Sequence, residues 1–426
     1  MKIVVIGGGW AGVAAAVGAR KAGADVCLIE KTDLLLGCGN VGGIMRNNGR
    51  YTATEEMMAL GAGDLFEIID RIALHRDIRF PGHEHALLYP VNTIEAHIRR
   101  FVRSLGIELK LESRATDVLF DDGCLKGLVL HSGETVSGDV FVETTGSSGP
   151  MGNCIRYGNG CSMCVLRCPA FGPRISISEK CGVNDYTGER AESVFGVFSG
   201  SCKLAKESLS EEVQHELNLN GVAVLKIPPE DVNYDKLNAK ACKQYALKEF
   251  SENVILLDTG HAKLMTSYYP LDKLREIPGL ENAKYVDPYA GSGRNSIRYF
   301  SIAPRGDHMQ VDGVKNLFCG GEKSGLFIGH TEAICTGALA GFNAARMAWG
   351  LPPVILPDTL AVGDLIAFAN HQYKDAHNTL ERFTFAGGVF FERMKSRGLY
   401  SIQREEVEKR VGNAGFSGIF NQKVKD

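Results

Sequence analysis

The chain has no large excess of charge. Its 47 lysines and arginines nearly balance 50 aspartates and glutamates, leaving a net charge of -3. No global basic field therefore advertises nucleic acid, and only a local patch could serve such a partner. No apolar run is long enough to span a bilayer as a helix, so no membrane role is expected. The opening "MKIVVIGGGW" has one lysine, then a strand-like run, and no cleavage pattern. It reads as mature structure, and the chain is expected to be cytoplasmic. Internal repeats and low-complexity tracts are also lacking.

Cysteine, by contrast, is plentiful, with 12 in 426 residues. In a reducing compartment that number points to metal binding or catalysis before disulfides. Five thiols crowd one stretch: Cys154, Cys161, Cys164, Cys168 (followed by Pro169) and Cys181. The C-x2-C-x3-C-P tail matches the end of a bacterial ferredoxin run. Soft thiolates suit iron–sulfur clusters. These five are the candidate metal ligands, for a [4Fe–4S] cluster first and for structural zinc second. Zinc loops usually pair two C-x2-C knuckles, and one is present here. Redox thiols are the third alternative.

The N-terminal segment carries the clearest nucleotide signal. "KIVVIGGGWAGVAAAVGARKAGADVCLIEK" reads strand, glycine turn, helix, strand. Gly7, Gly9 and Gly12 form G-x-G-x-x-G between strand and helix, the arrangement that brings a pyrophosphate to a helix N-terminus. Glu30, at the end of the second strand, is placed to accept ribose hydroxyls. Thr145-Gly146 closes a strand far downstream, and "FCGGE" (318–322) precedes a second glycine-bearing helix. Strands separated in this way suit FAD. No clean second strand–GxGxxG–helix unit is present for a pyridine nucleotide, so NAD(P)H is expected only as a transient donor. The expected cofactor-binding set is Gly7, Gly9, Ala11, Gly12, Glu30, Lys31, Gly37, Thr145, Gly146, Gly321, Glu322, His330 and Thr331.

The predicted fold is α/β: a discontinuous three-layer FAD-binding Rossmann-like domain of the glutathione-reductase type, an inserted α+β domain and a helical C-terminal tail. The expected boundaries are 1–150 and 286–350 for the two parts of the FAD domain, 151–285 for the insert and 351–426 for the tail. Helices are expected over 55–75, 92–105, 204–217 and 234–250, with a β-meander between Ile107 and Thr144.

With these segments placed, the chain resembles the GidA/TrmFO family of FAD-dependent proteins, which modify tRNA uridines. "LGCGNVGGIMRNN" resembles the family's cysteine loop, "REIPGLENAKYVDPYAGSGRNS" is similar to a segment of the TrmFO branch, and "NLFCGGEKSGLFIGHTEAICTGALAGFNAAR" is similar to the closing FAD motif. The resemblance implies FAD, a catalytic role for Cys38, and an active-site wall holding His261, Lys263, Tyr268 and Tyr269. The folate-binding segment of TrmFO is not recognisable between 150 and 260, where the cysteine stretch lies instead. Around Cys38 the "GNVGGI" neighbours are closer to the GidA branch.

Three functions follow as expectations. The first is an FAD-dependent oxidoreductase that exchanges electrons with the cluster and serves a small-molecule substrate or a redox partner protein. Catalysis is assigned to Cys38, His261 and Lys263. The second is a folate-linked tRNA uridine modifier. The third is an electron-transfer flavoprotein subunit without its own substrate. A homodimer is compatible with all three. Among the remaining residues, Arg46, Asn47, Asn48 and Arg50 read either as an anion-facing run or as a solvated loop. Arg294, Arg298, Arg305 and His308 read as surface by default, with binding of phosphate or carboxylate groups as the alternative. Cys27, Cys124, Cys242, Cys319 and Cys335 read as core, and Cys202 is unassigned.

Overall fold

The computed structural model describes residues 1–147, 171–186, 189–191, 194–195, 197–198, 202–238, 243–265, 269–286, 297–298, 301–375 and 381–424. The first βαβ unit forms as its sequence pattern requires: β1 (Lys2–Ile6), α1 (Trp10–Lys21) and β2 (Asp25–Ile29). β3 (Glu108–Lys110), β4 (Val140–Glu143) and β5 (Leu317–Cys319) complete a five-stranded sheet in the order β5-β4-β1-β2-β3. All four pairings are parallel. A second long helix, α2 (His330–Ala348), follows β5.

The sheet is buried on both faces, which explains why its strands read as continuous apolar runs rather than alternating ones. Ile3, Val5, Leu28 and Val142 point into a core shared with α1 and α2. Val4, Ile6, Ile29 and Phe141 point the other way, onto Leu125, Leu128 and Val136. Those three belong to an antiparallel meander of Ala115–Asp121, Cys124–Leu130 and Thr135–Ser137. Helices, sheet and meander are the three layers. The small residues of α1 let α2 lie against it. A Cβ on Gly337 would come within 2.1 Å of the Ala11 carbonyl oxygen.

Between β4 and β5 lies a second, antiparallel sheet. Its strand order is Cys202–Leu204, Ala262–Leu264, Asn253–Asp258 and Val222–Lys226, with Lys203 opposite Lys263. The region expected to be helical over 55–75 is two helices, Gly49–Ala59 and Asp64–Ile72, parted by a turn in which Gly61 takes a φ of +90°. The helix expected at 204–217 starts at Glu211 instead. Ser210 caps it by accepting a 3.3 Å hydrogen bond from the Val213 N–H, and Gly221 ends it in the left-handed conformation. Over 234–250 the described residues hold only short helical pieces. Ala361–Asp375, Gly388–Ser396 and Arg404–Asn413 are helices towards the C-terminus. Among the described residues no helix is long and apolar enough to cross a membrane.

Candidate cofactor-binding site

A cavity of about 330 Å³ opens at the carboxyl ends of β1, β2, β4 and β5. Neighbouring strands of an open parallel sheet send their chains to opposite faces there, which leaves a crevice for a ligand. Gly7, Gly9 and Ala11 line it after β1, and Glu30 and Lys31 after β2. Gly37 and Cys38 come from the following loop, Thr145 and Gly146 from the end of β4, and Gly321, Glu322 and His330 from the β5–α2 connection.

Two glycines do different work. A Cβ on Gly12 would sit 1.8 Å from the Gly7 carbonyl oxygen, so this residue is needed for turn and helix to pack. Gly12 is not itself at the cavity wall. A Cβ on Gly9 would meet no protein atom within 4 Å, and it borders the cavity. That open cradle at the N-terminus of α1 fits a closely approaching pyrophosphate.

Glu30 is held by two backbone donors. Its Oε2 accepts from the Gly8 N–H at 2.7 Å and its Oε1 from the Thr32 N–H at 2.8 Å. Burial raises its pKa, against the pull of those two N–H groups. Each oxygen keeps a lone pair for a ribose hydroxyl. At the other end, Ser147 donates to the Glu322 carboxylate at 2.8 Å. The Lys31 ammonium donates to the Gly172 carbonyl at 2.7 Å. These residues fit an FAD-like dinucleotide.

Cys38 is half-buried and lies at the start of the short helix Gly39–Gly42. Lys203, which the sequence did not single out, lines the cavity too and donates to the Asn40 carbonyl at 3.2 Å. Its cross-strand neighbour Lys263 donates to the Val41 carbonyl at 3.0 Å. Lys263 is therefore beside the cysteine loop but not on the cavity wall. His261 is also off the wall. Its pKa is lowered by burial and then by Lys203. Thr331 is fully buried, with its hydroxyl directed at the Met45 sulfur.

Trp10, His330 and Tyr89 form a cluster on the α2 side. Tyr89 was missed because it is distant in sequence from the other cavity residues and nothing local marks it. Arg174 was missed for the same reason. It lines the cavity and donates to the Thr145 hydroxyl at 3.0 Å.

Several expectations need correction. The polar run at 46–50 is neither a solvated loop nor an anion-facing surface. Arg46 pairs with Glu55 at 2.6 Å and with Asp70, and Arg50 pairs with Glu332 at 3.1 Å. Asn47 and Asn48 are buried with them. Arg305 is also buried. It donates to the carbonyls of Ser324 and Ile366, so the default surface reading fails. Cys27, Cys319 and Cys335 are core, whereas Cys124 is only half-buried.

Cys154, Cys161, Cys164, Cys168 and Cys242 lie outside the described residues. Cys181 packs among apolar side chains, and burial followed by Glu143 pushes its thiol up to about 12. Among the described residues no group of three or more His, Cys, Asp or Glu is placed to hold a metal ion.

Comparison with known proteins fits this geometry. The chain matches the model of the family described as glucose inhibited division protein A (GIDA) over residues 2–248 and 235–352. A methylenetetrahydrofolate–tRNA-(uracil-5-)-methyltransferase TrmFO of Thermus thermophilus is 39% identical over 97 residues, which cover 22% of this chain and 21% of that protein. The Bacillus cereus TrmFO is 38% identical over 141 residues, covering 32% of this chain and 28% of that one. The matched segments are thus well under a third of the curated relatives. A crystal structure of Aquifex aeolicus GidA superposes with a TM-score of 0.66 at 16% identity, over 99% of this chain and 73% of that one. A family match over most of the chain, on the three-layer fold with its glycine-lined crevice, makes this protein a member of the GidA family.

Proposed function

We propose that this chain is an FAD-dependent enzyme that modifies uridine in tRNA. The observation that carries the reading is the meeting of a glycine-lined cavity at the strand ends with Cys38 on one wall, in a chain of the GidA family. Gly7, Gly9 and Glu30 would hold the adenosine and pyrophosphate end, and Glu322 with the α2 N-terminus the flavin end. FAD, when bound, would supply reversible hydride transfer. Cys38 would add its sulfur to an electron-poor uracil ring, which activates the neighbouring carbon. Later loss of the thiolate restores the ring. Lys203 and Lys263 brace the helix behind that cysteine, and Lys203 would add positive charge at the cavity wall.

The experiment is mass spectrometry of nucleosides from tRNA incubated with the FAD-loaded protein, a flavin reductant and methylenetetrahydrofolate. A new modified uridine that disappears in Cys38→Ala supports the proposal. Unmodified tRNA with folate, with other one-carbon donors and with glycine would end it.

The cysteine spacing within residues 150–170 supports a second reading. The spacing Cys161-x2-Cys164-x3-Cys168-Pro169 favours a [4Fe–4S] centre passing single electrons to and from the flavin. Iron and acid-labile sulfide in anaerobically purified protein would support it. Their absence, or stoichiometric zinc, would remove it.

A further inference from the structure

Tyr89 is fully buried, and its hydroxyl has two close neighbours. It donates to the Gly39 carbonyl at 2.8 Å and lies 3.0 Å from Nδ1 of His330. A phenol carries one proton, and a carbonyl oxygen can only accept. If that proton goes to Gly39, the contact with His330 is favourable only when Nδ1 carries the hydrogen and the tyrosine oxygen accepts it. The opposite tautomer would set two lone pairs against each other in a buried site, where neither can turn to water.

The rings fix the geometry further. Tyr89 packs edge-on to Trp10 with centroids 6.1 Å apart, and His330 lies 6.2 Å from Tyr89 and 6.4 Å from Trp10. Gly42 leaves room for the imidazole, since a Cβ there would come within 1.7 Å of Cε1. Trp10 and His330 both line the cavity. Burial raises the Tyr89 pKa, so the phenol keeps its proton and its orientation at neutral pH.

We infer that His330 is the proton acceptor of this cavity, acting through Nε2, and that Tyr89 is the positioning residue that fixes its tautomer. The imidazole would take a proton from an N–H or C–H of the bound molecule. That bond breaks, an Nε2–H bond forms, and the electron pair stays on the molecule that lost the proton. The resulting imidazolium would be stabilised through its Nδ1–H on the Tyr89 oxygen. The inference rests on the reading of this cavity as the reaction site, but the tautomer itself can be measured without turnover.

The test is nitrogen NMR of histidine-labelled protein, with the His330 signals assigned by their loss in His330→Gln. The expected spectrum has a protonated Nδ1 and a bare Nε2, and Tyr89→Phe shifts it towards the other tautomer while ring packing is retained. In the FAD-loaded protein, His330→Gln should lower turnover about 100-fold and Tyr89→Phe about tenfold, each with the Kd for FAD changed less than threefold. A bare Nδ1 in the wild type, or a Tyr89→Phe spectrum identical to it, overturns the positioning role. Unchanged turnover in His330→Gln overturns the proton transfer. If no substrate is turned over by the wild type, the same comparison is made on proton uptake during chemical reduction of the bound flavin, where an unchanged uptake in His330→Gln again overturns it.

Discussion

The Glu30 carboxylate accepts a 2.7 Å hydrogen bond from the backbone N–H of Gly8, so the acid that ends β2 is locked to the glycine turn that ends β1. This contact presets the crevice before any ligand enters. Removing the carboxylate should loosen the turn and delete the ribose acceptor together. Hydrogen bonds to a charged group are worth about 1.5–3 kcal/mol. Glu30→Ala is therefore expected to weaken FAD binding by roughly ten- to a hundredfold, read by quenching of flavin fluorescence on titration. Unchanged affinity would place the adenosine end elsewhere.

Gly9 and Gly12 separate binding from folding. At Gly9 a side chain would project into open space at the cavity wall, whereas at Gly12 it would strike the Gly7 carbonyl. Gly9→Val should keep the thermal midpoint of the FAD-free protein within a few degrees and lose most FAD affinity. Gly12→Val should lower that midpoint sharply or prevent folding. Equal thermal losses in both variants would contradict the different roles assigned here.

The part of the cavity wall that follows β1 and β2 was legible in the sequence because its signals are local. A turn glycine, a helix start and an acid one strand later lie within residues 7–30. The far side was legible only as fragments, since Thr145 and Glu322 announce strand ends but not their neighbours. What escaped were contacts made by pairing across the chain. Tyr89 meets His330 through a separation of 241 residues, and Arg50 meets Glu332 through 282. The run at 46–50 looked open because a sequence of polar residues gives no hint of buried partners so remote. Lys203 reaches the cavity only because its strand pairs with Ala262–Leu264.

A buried charge cluster braces the β5–α2 connection. Lys323 contacts Asp185, lies 3.7 Å from Glu143 and donates to the Ser176 hydroxyl at 2.8 Å, all away from solvent. Burial works against the Asp185 carboxylate, yet Lys323 and then Arg174 hold its pKa below the usual range. Truncating one partner strands the opposite charge. Lys323→Met is expected to cost about 3–5 kcal/mol in urea denaturation. Lys323→Met combined with Asp185→Asn should recover part of that loss. A single variant as stable as the wild type would show that the cluster contributes nothing.

His83 makes acid stability a test of the buried polar network. Its Nδ1 accepts from the Asn47 amide at 2.9 Å and its Nε2 donates to the Gln244 carbonyl at 2.9 Å, an arrangement that uses a neutral ring on both sides. Burial lowers its pKa from 6.5 to about 3. In the unfolded chain the ring takes up a proton below about 6.5, whereas the folded ring stays neutral down to about 3. Its contribution is therefore fully present above pH 6.5 and is lost as pH falls through that window, by a total of roughly 3–5 kcal/mol. His83→Gln should be less stable than the wild type at pH 7.5 because the fitted ring is gone. It should also show a flatter fall in stability between pH 6.5 and 4. Parallel pH profiles for the two proteins, measured by urea denaturation, would mean that His83 is protonated in the fold and that the Asn47 contact is not the one that holds it.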